Sequence, residues 1–255
     1  MKIKPFLDFE GKKVVVTGAS SGIGRAISIA LSLHGADLIL IGRDRERLEA
    51  TVASLSTGAH NIINLDLSNH SEIVPAMREA AMNKGRMYGL CHCAGIVETR
   101  PLSSYKVEGL SAMLDVNLIA GIELAKAVSR RDVMEPEGGS ILLMSSIYGR
   151  VGMPGQIGYA GSKGAVVAAA RAMAIELARR NIRVNTLSPG FVKTPMTEKA
   201  MAKLSEQQVK NIEDAHPLGT GTPEDVARAA AFLLAPQNRW ITGIDLVIDG
   251  GYTAQ

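Results

Sequence analysis

Seven short apolar runs, separated mostly by stretches with helical spacing, constrain the fold more than any other feature of this sequence. They are KVVVT (13–17), DLILIG (37–42), NIINLDL (61–67), GLCHCA (89–94), SILLMS (140–145), RVNTLS (183–188) and DLVID (245–249). Between them apolar residues recur at intervals of three and four, as in Ile23, Ile27 and Leu31 before a helix-ending Gly35. Such alternation implies right-handed crossovers, hence a parallel sheet with helices on both faces. Aromatic residues are only 4% of the chain while Val, Ile, Leu and Ala abound, which suits strands buried on both sides. No Pro/Gly/Ser-rich linker and no repeat divides the 255 residues. The expectation is an α/β fold, one doubly wound domain over 1–255 with a parallel seven-stranded sheet. The irregular stretch at about 189–222 is expected to be a substrate loop at the carboxyl ends of the strands.

Charge and cysteine usage remove several function classes. The net charge is +3, and the densest basic stretch is RDRER at 43–47. That is too little for a phosphate-tracking surface, so no nucleic-acid partner is expected. The longest apolar stretch, AVVAAARAMAIELA, is interrupted by Arg171 and Glu176, so no membrane span is expected. The opening MKIKPFLDFEGK is broken by charge and lacks a signal-peptide core. Cys91 and Cys93 share a strand face, where a bridge would be strained, and His92 points to the other face. No metal site is expected, and both thiols read as buried structural groups in a reducing, cytoplasmic compartment.

The first run ends in TGASSGIG (17–24), between a strand and a helix that opens with Ile23. Gly18 permits a tight turn, Gly22 lets backbone approach a pyrophosphate, and Gly24 allows close helix–strand packing. The helix N-terminus offers unpaired N–H groups and a positive dipole to phosphates. The spacing is looser than the usual dinucleotide fingerprint, but its place at the first strand–helix junction points to a nucleotide and a Rossmann-type sheet.

Tyr159 and Lys163 lie four apart at the start of a helical segment and share its face. An ammonium beside the phenol is expected to lower its pKa by about two or three units from ~10, making Tyr159 a usable general acid/base. Ser146, at the end of the fifth run, can hold a substrate oxygen against the phenol without competing for its proton.

These residues resemble the short-chain dehydrogenases/reductases, and the resemblance covers almost the whole chain. TGASSGIG, Asp66 in NLDLS, Asn117 in DVNL, the set Ser146, Tyr159 and Lys163, SPGFVKT (188–194) and TGIDLVIDGG (242–251) carry it. It implies a nicotinamide cofactor and hydride transfer between a ketone and a secondary alcohol. By resemblance, Tyr159 donates the proton, Lys163 holds the nicotinamide ribose, Ser146 polarises the carbonyl and Asn117 anchors a relay water. Cofactor contacts fall to Gly18, Ser20, Ser21, Gly22, Ile23, Gly24, Arg43, Asp66, Leu67, Ala94, Gly95, Pro189, Gly190, Val192 and Thr194, besides Tyr159 and Lys163. Asp66 is expected to face the adenine, with a helix-capping role as its rival. Where the family shows Asn-Asn-Ala-Gly, this chain has His92-Cys93-Ala94-Gly95. The bracing bonds of those amides must be remade by His92 or lost.

NADP(H) is expected over NAD(H). The position of an NAD-selecting carboxylate is Gly42, followed by Arg43, which can grip a 2′-phosphate; Asp44 serving the ribose is the alternative. The segment HPLGTGTPEDVARAAAFLLAP (216–236) resembles the 3-oxoacyl-carrier-protein reductases, which suggests a 3-oxoacyl thioester. Arg180 matches one basic docking position of that group, but the other is Glu137, which argues against a carrier protein. A free polar or sugar-derived ketone stays open, as does a non-catalytic nucleotide sensor on the same fold. The resemblance also implies a homotetramer packed through the 159–180 helix and the last strand.

Overall fold

The computed structural model describes residues 7–202 and 204–255, so the opening residues 1–6 of the N-terminal reading lie outside it. All seven expected strands form, as β1 (Lys13–Thr17), β2 (Asp37–Gly42), β3 (Asn61–Asn64), β4 (Gly89–His92), β5 (Gly139–Met144), β6 (Ile182–Pro189) and β7 (Asp245–Ile248). They pair parallel throughout in the order β3-β2-β1-β4-β5-β6-β7. Strand order therefore reverses between β1 and β4, and a crevice opens at the carboxyl ends there. The third run stops short of its expected length. β3 pairs with β2 alone, and that ladder ends at Gly42↔Asn64.

The helices that frame the sheet are α1 (Gly22–Leu33), α2 (Arg45–Val52), α3 (His70–Lys84), α4 (Val107–Leu114), α5 (Ala120–Val128), α6 (Ile157–Leu177) and α9 (Pro223–Leu234). Alternate residues of each strand feed different cores. Val15, Ile39, Leu90 and Ile141 pack with Met77 of α3, Leu124 of α5 and Val166 of α6. Val14, Val16, Leu38 and Leu142 pack with Ile27 of α1 and Leu233 of α9. This two-sided burial is why the runs read as continuous rather than alternating. Among the described residues, no helix is long and apolar enough to cross a membrane.

The stretch 189–222 is not irregular, as expected, but holds two helices, α7 (Pro195–Met201) and α8 (Glu206–Asp214). Each starts on a reciprocal cap, Thr194 with Thr197 and Ser205 with Gln208. The Ser205–Gln208 spacing is a capping-box signal visible in the sequence. The buried Arg183 guanidinium donates to the carbonyls of Leu233, Leu234, Ala235 and Ile241, a cation closing the C-terminus of α9.

Candidate active site

A cleft of about 410 Å³ runs along the carboxyl edge of the sheet, across the switch point. Every catalytic and cofactor-contact residue implied by the resemblance lines it except Asn117. Gly18 and Gly22 turn the chain with φ of 64° and 51°, where a side chain would be strained. A Cβ on Gly18 would stand 2.9 Å from the Ala94 nitrogen, and one on Gly24 would collide with the Gly18 carbonyl oxygen. The first contact locks the turn to the end of β4 and the second seats α1 on it. Ser21 occupies the N-cap of α1 without a side-chain capping bond, and Ser20 lies beside it on the cleft.

At the other end, Ser146 follows β5, and α6 brings in Tyr159 and Lys163. Lys163 is 3% exposed, and its Nζ donates to the Met144 carbonyl at 2.8 Å. Burial pulls its pKa down from 10.5 to about 8, while Cys93 opposes the shift. The ammonium sits 5.6 Å from the centre of the Tyr159 ring. The expected lowering of the Tyr159 pKa is not what the structure gives. Burial of the phenol raises it, and the Ser146 hydroxyl opposes that only in part. Desolvation outweighs the hydrogen bond here, so the group at neutral pH is the protonated phenol.

Asn117 stands one layer behind the cleft, on a π-helical turn, Asp115–Ile119, between α4 and α5. Its Oδ1 accepts from Ile96 N at 2.8 Å, and its Nδ2 donates to Ile96 O and to Ser162 Oγ, both at 3.0 Å. The side chain thus braces the Gly95–Ile96 backbone against α6. A Cβ on Gly95 would lie 3.1 Å from Asn117 Oδ1 and 3.5 Å from Lys163 Nζ, so glycine keeps the space beside the ammonium open.

Several expected cofactor contacts carry local bonds as well. Asp66 accepts from the backbone and hydroxyl of Ser68, which holds its carboxyl below the usual range. These bonds close a turn ahead of α3, whose N-cap is Asn69, so they are not the helix-capping role weighed against the adenine contact. Its Oδ2 also lies 4.0 Å from Arg43 Nη1, an exposed pair. Asp44 caps α2 by accepting from Arg47 N. Thr194 caps α7 and packs against Gly22, while Val192 O accepts from the Thr197 hydroxyl. The sequence reading missed Arg47, Cys93, Ile96 and Thr197, all on the cleft. Arg47 lies four residues beyond Arg43 in the RDRER stretch, where charge by itself does not tell a phosphate contact from a solvated helix start. Cys93, expected to be buried, is only partly so and faces the cleft.

His92 stands where the resembled family carries an amide and makes buried bonds of its own. It is buried between Thr17 Oγ1, 2.9 Å from Nδ1, and Val116 O, 3.3 Å from Nε2. Thr17 Oγ1 already accepts from Cys93 N and Ala94 N, so its proton goes to Nδ1 and the imidazole donates from Nε2. Burial and the Lys163 charge push the His92 pKa down to about 3 from 6.5. The unfolded chain therefore takes up a proton near pH 6.5 that the folded chain refuses until about pH 3. Stability from this group is present above pH 6.5 and is lost as pH falls through that window, by several kcal/mol at the bottom. In acid titrations followed by thermal melting, His92→Asn is expected to lose markedly less Tm than wild type between neutral and about pH 4. Equal losses would remove His92 as the cause.

Comparison with known proteins agrees with this geometry. The family model described as enoyl-(acyl carrier protein) reductase matches residues 18–253. The chain is 36% identical over 245 residues to a 3-oxoacyl-(acyl-carrier-protein) reductase of Thermotoga maritima, covering 95% of this chain and 98% of that protein. It is likewise 36% identical over 245 residues to carbonyl reductase family member 4 of Xenopus tropicalis, covering 96% and 99%. Among solved structures, a putative short-chain alcohol dehydrogenase of Sinorhizobium meliloti superposes with a TM-score of 0.92 at 30% identity, covering 98% of this chain and all of that one. With a parallel sheet that switches order over a glycine-lined cleft, and with relatives matched end to end, the chain belongs to the short-chain dehydrogenase/reductase family and is an oxidoreductase acting between alcohols and ketones.

Proposed function

We propose that this chain is an NADP(H)-dependent reductase that converts a ketone to a secondary alcohol, with a 3-oxoacyl thioester as its first substrate class. The convergence of Ser146, Tyr159 and Lys163 at the end of β5, beside the space kept by Gly95, carries this reading. The cleft fits a dinucleotide: its glycines leave room for the phosphates and the ribose, and Arg43 and Arg47 border Gly42 where a 2′-phosphate would lie. When bound, the nicotinamide supplies the hydride.

The chain's own residues do the rest. Tyr159, protonated at neutral pH, gives its Oη proton to the substrate carbonyl oxygen. The Ser146 hydroxyl orients that oxygen against the phenol. Lys163 holds the ribose and returns positive charge to the site as the phenolate forms. Asn117 positions rather than reacts, because its amide is spent on Ile96 and Ser162. Asp66 and Leu67 border the adenine end, Ile23 and the serines the phosphates, and Pro189, Gly190, Val192 and Thr194 the nicotinamide end. The segment 189–222, with α7 and α8, borders the substrate.

We further infer one domain over 1–255 and a cytoplasmic homotetramer packed through α6 and β7. Ala168, Ala172 and Ile175 form an exposed small and apolar stripe on α6, with Ile175 79% exposed. A carrier-bound substrate is supported by a second cleft, of about 440 Å³, where Arg86, Arg131 and Arg179 join Arg180. The four arginines outnumber Glu135, which lines the same cleft and pairs with Lys12, so this surface is basic despite the nearby Glu137.

The test is loss of NADPH absorbance with a small 3-oxoacyl thioester set against a panel of free polar and sugar-derived ketones. Turnover of the thioester is the expected result. Turnover of a free ketone alone moves the substrate class, and NADPH binding without any turnover favours a nucleotide sensor.

A further inference from the structure

Cys91 and Cys93 lie with their sulfurs 3.4 Å apart, on the same face of the chain at the end of β4. Cys91 is fully buried in the core under α1 and α9. Cys93 is partly exposed and opens onto the cleft shared with Gly18, Tyr159 and Lys163. The mechanism above uses neither thiol. We propose that this pair is a peroxide-sensitive dithiol that switches cofactor binding off, with Cys93 as the attacking sulfur and Cys91 as the resolving one.

Three observations carry the assignment. Only Cys93 can be reached from the cleft by a small hydroperoxide. Cys91 stays a thiol, because its contact to Cys93 and its burial both push its pKa up. Lys163 lines the same cleft as Cys93 and interacts electrostatically with it, so a cationic side chain stands beside the reachable sulfur.

The chemistry balances. The Cys93 thiolate attacks a peroxide oxygen; the S–O bond forms as the O–O bond breaks, sulfur gives up two electrons, and the other oxygen leaves as an alcohol or water after taking a proton. The Cys91 thiol then attacks the sulfenic sulfur. The S–S bond forms, and the departing hydroxide takes the Cys91 proton and leaves as water.

The sulfurs must close from 3.4 Å to about 2.05 Å, and a bridge across two positions of a strand is strained, hence easily reduced again. The movement falls on backbone that the cleft depends on. Cys93 N and Ala94 N both donate to Thr17 Oγ1, and the Cys93 carbonyl carbon sits 3.1 Å from where a Gly18 Cβ would be. Pulling Cys93 toward Cys91 therefore disturbs the glycine turn. This consequence rests on reading the cleft as the cofactor site; the dithiol chemistry does not.

The experiment treats the full chain with hydrogen peroxide and reads intact mass, thiol alkylation after denaturation, and NADPH affinity by fluorescence. Wild type is expected to lose about 2 Da, to lose both alkylatable thiols, and to recover both with a dithiol reductant. Cys91→Ser, and Cys91→Ala should serine not be tolerated in the core, is expected to stop at a sulfenic acid trapped by dimedone. Cys93→Ser is expected to resist peroxide, and saturating NADPH to slow oxidation of wild type about tenfold or more, as burial of an attacking thiol does. Oxidised wild type is expected to bind NADPH at least about tenfold more weakly. Over-oxidation of wild type without the 2 Da loss, no reaction at all, or equal oxidation of Cys93→Ser would each overturn the dithiol. A disulfide that leaves NADPH affinity unchanged would overturn the switch. Failure of the reduced protein to bind NADPH would count against the cofactor reading instead, while the mass result still decides the dithiol.

Discussion

Tyr159→Phe is expected to cut kcat by about 100-fold or more while NADPH affinity stays within about threefold of wild type. The phenol, the proposed proton donor, stands beside both Ser146 and the Lys163 ammonium. Burial keeps it protonated at neutral pH, the state that reduction of a carbonyl requires. Phenylalanine preserves the ring and its packing but leaves no proton for the developing alkoxide. Steady-state kinetics paired with NADPH fluorescence separates the two effects. Retention of more than about a tenth of kcat would assign the proton to another group.

Replacing Gly42 with Asp is expected to reverse cofactor preference by about 100-fold or more in kcat/KM for NADPH against NADH. A carboxylate next to a 2′-phosphate costs several kcal/mol, and each ~1.4 kcal/mol is tenfold. The site can take the side chain without strain. Gly42 has no positive φ, and its added Cβ would make an ordinary contact, 3.4 Å from Leu48 Cδ2. The new carboxylate would stand on the cleft that exposed Arg43 and Arg47 also line, and so compete with the phosphate they are proposed to grip. Measuring both cofactors on wild type comes first. Equal efficiencies, or a preference for NADH, would show that the two arginines only bound a solvated helix start.

Two-sided burial made the strands legible, since Val14, Val15 and Val16 are all buried but feed opposite cores. The glycine turn was legible because positive φ at Gly18 and Gly22 admits few other residues. The helices α7 and α8 were missed although Ser205 and Gln208 announced one of them, because the stretch was judged by its lack of strand and helix periodicity. Arg47 was missed because charge in a helix start reads the same whether it meets water or a phosphate.

What the sequence determined by itself was the order of elements and which residues could reach the carboxyl edge of the sheet: chain chirality and the period of each run allow little else. What only the tertiary structure decided was the state of those residues. Tyr159 rises rather than falls in pKa, Asn117 turns from the cleft to brace Ile96, His92 makes buried bonds with Thr17 and Val116, and Cys93 faces the cleft. Each of these outcomes depends on desolvation and on partners supplied by elements distant in the chain, and neither quantity is written in local spacing.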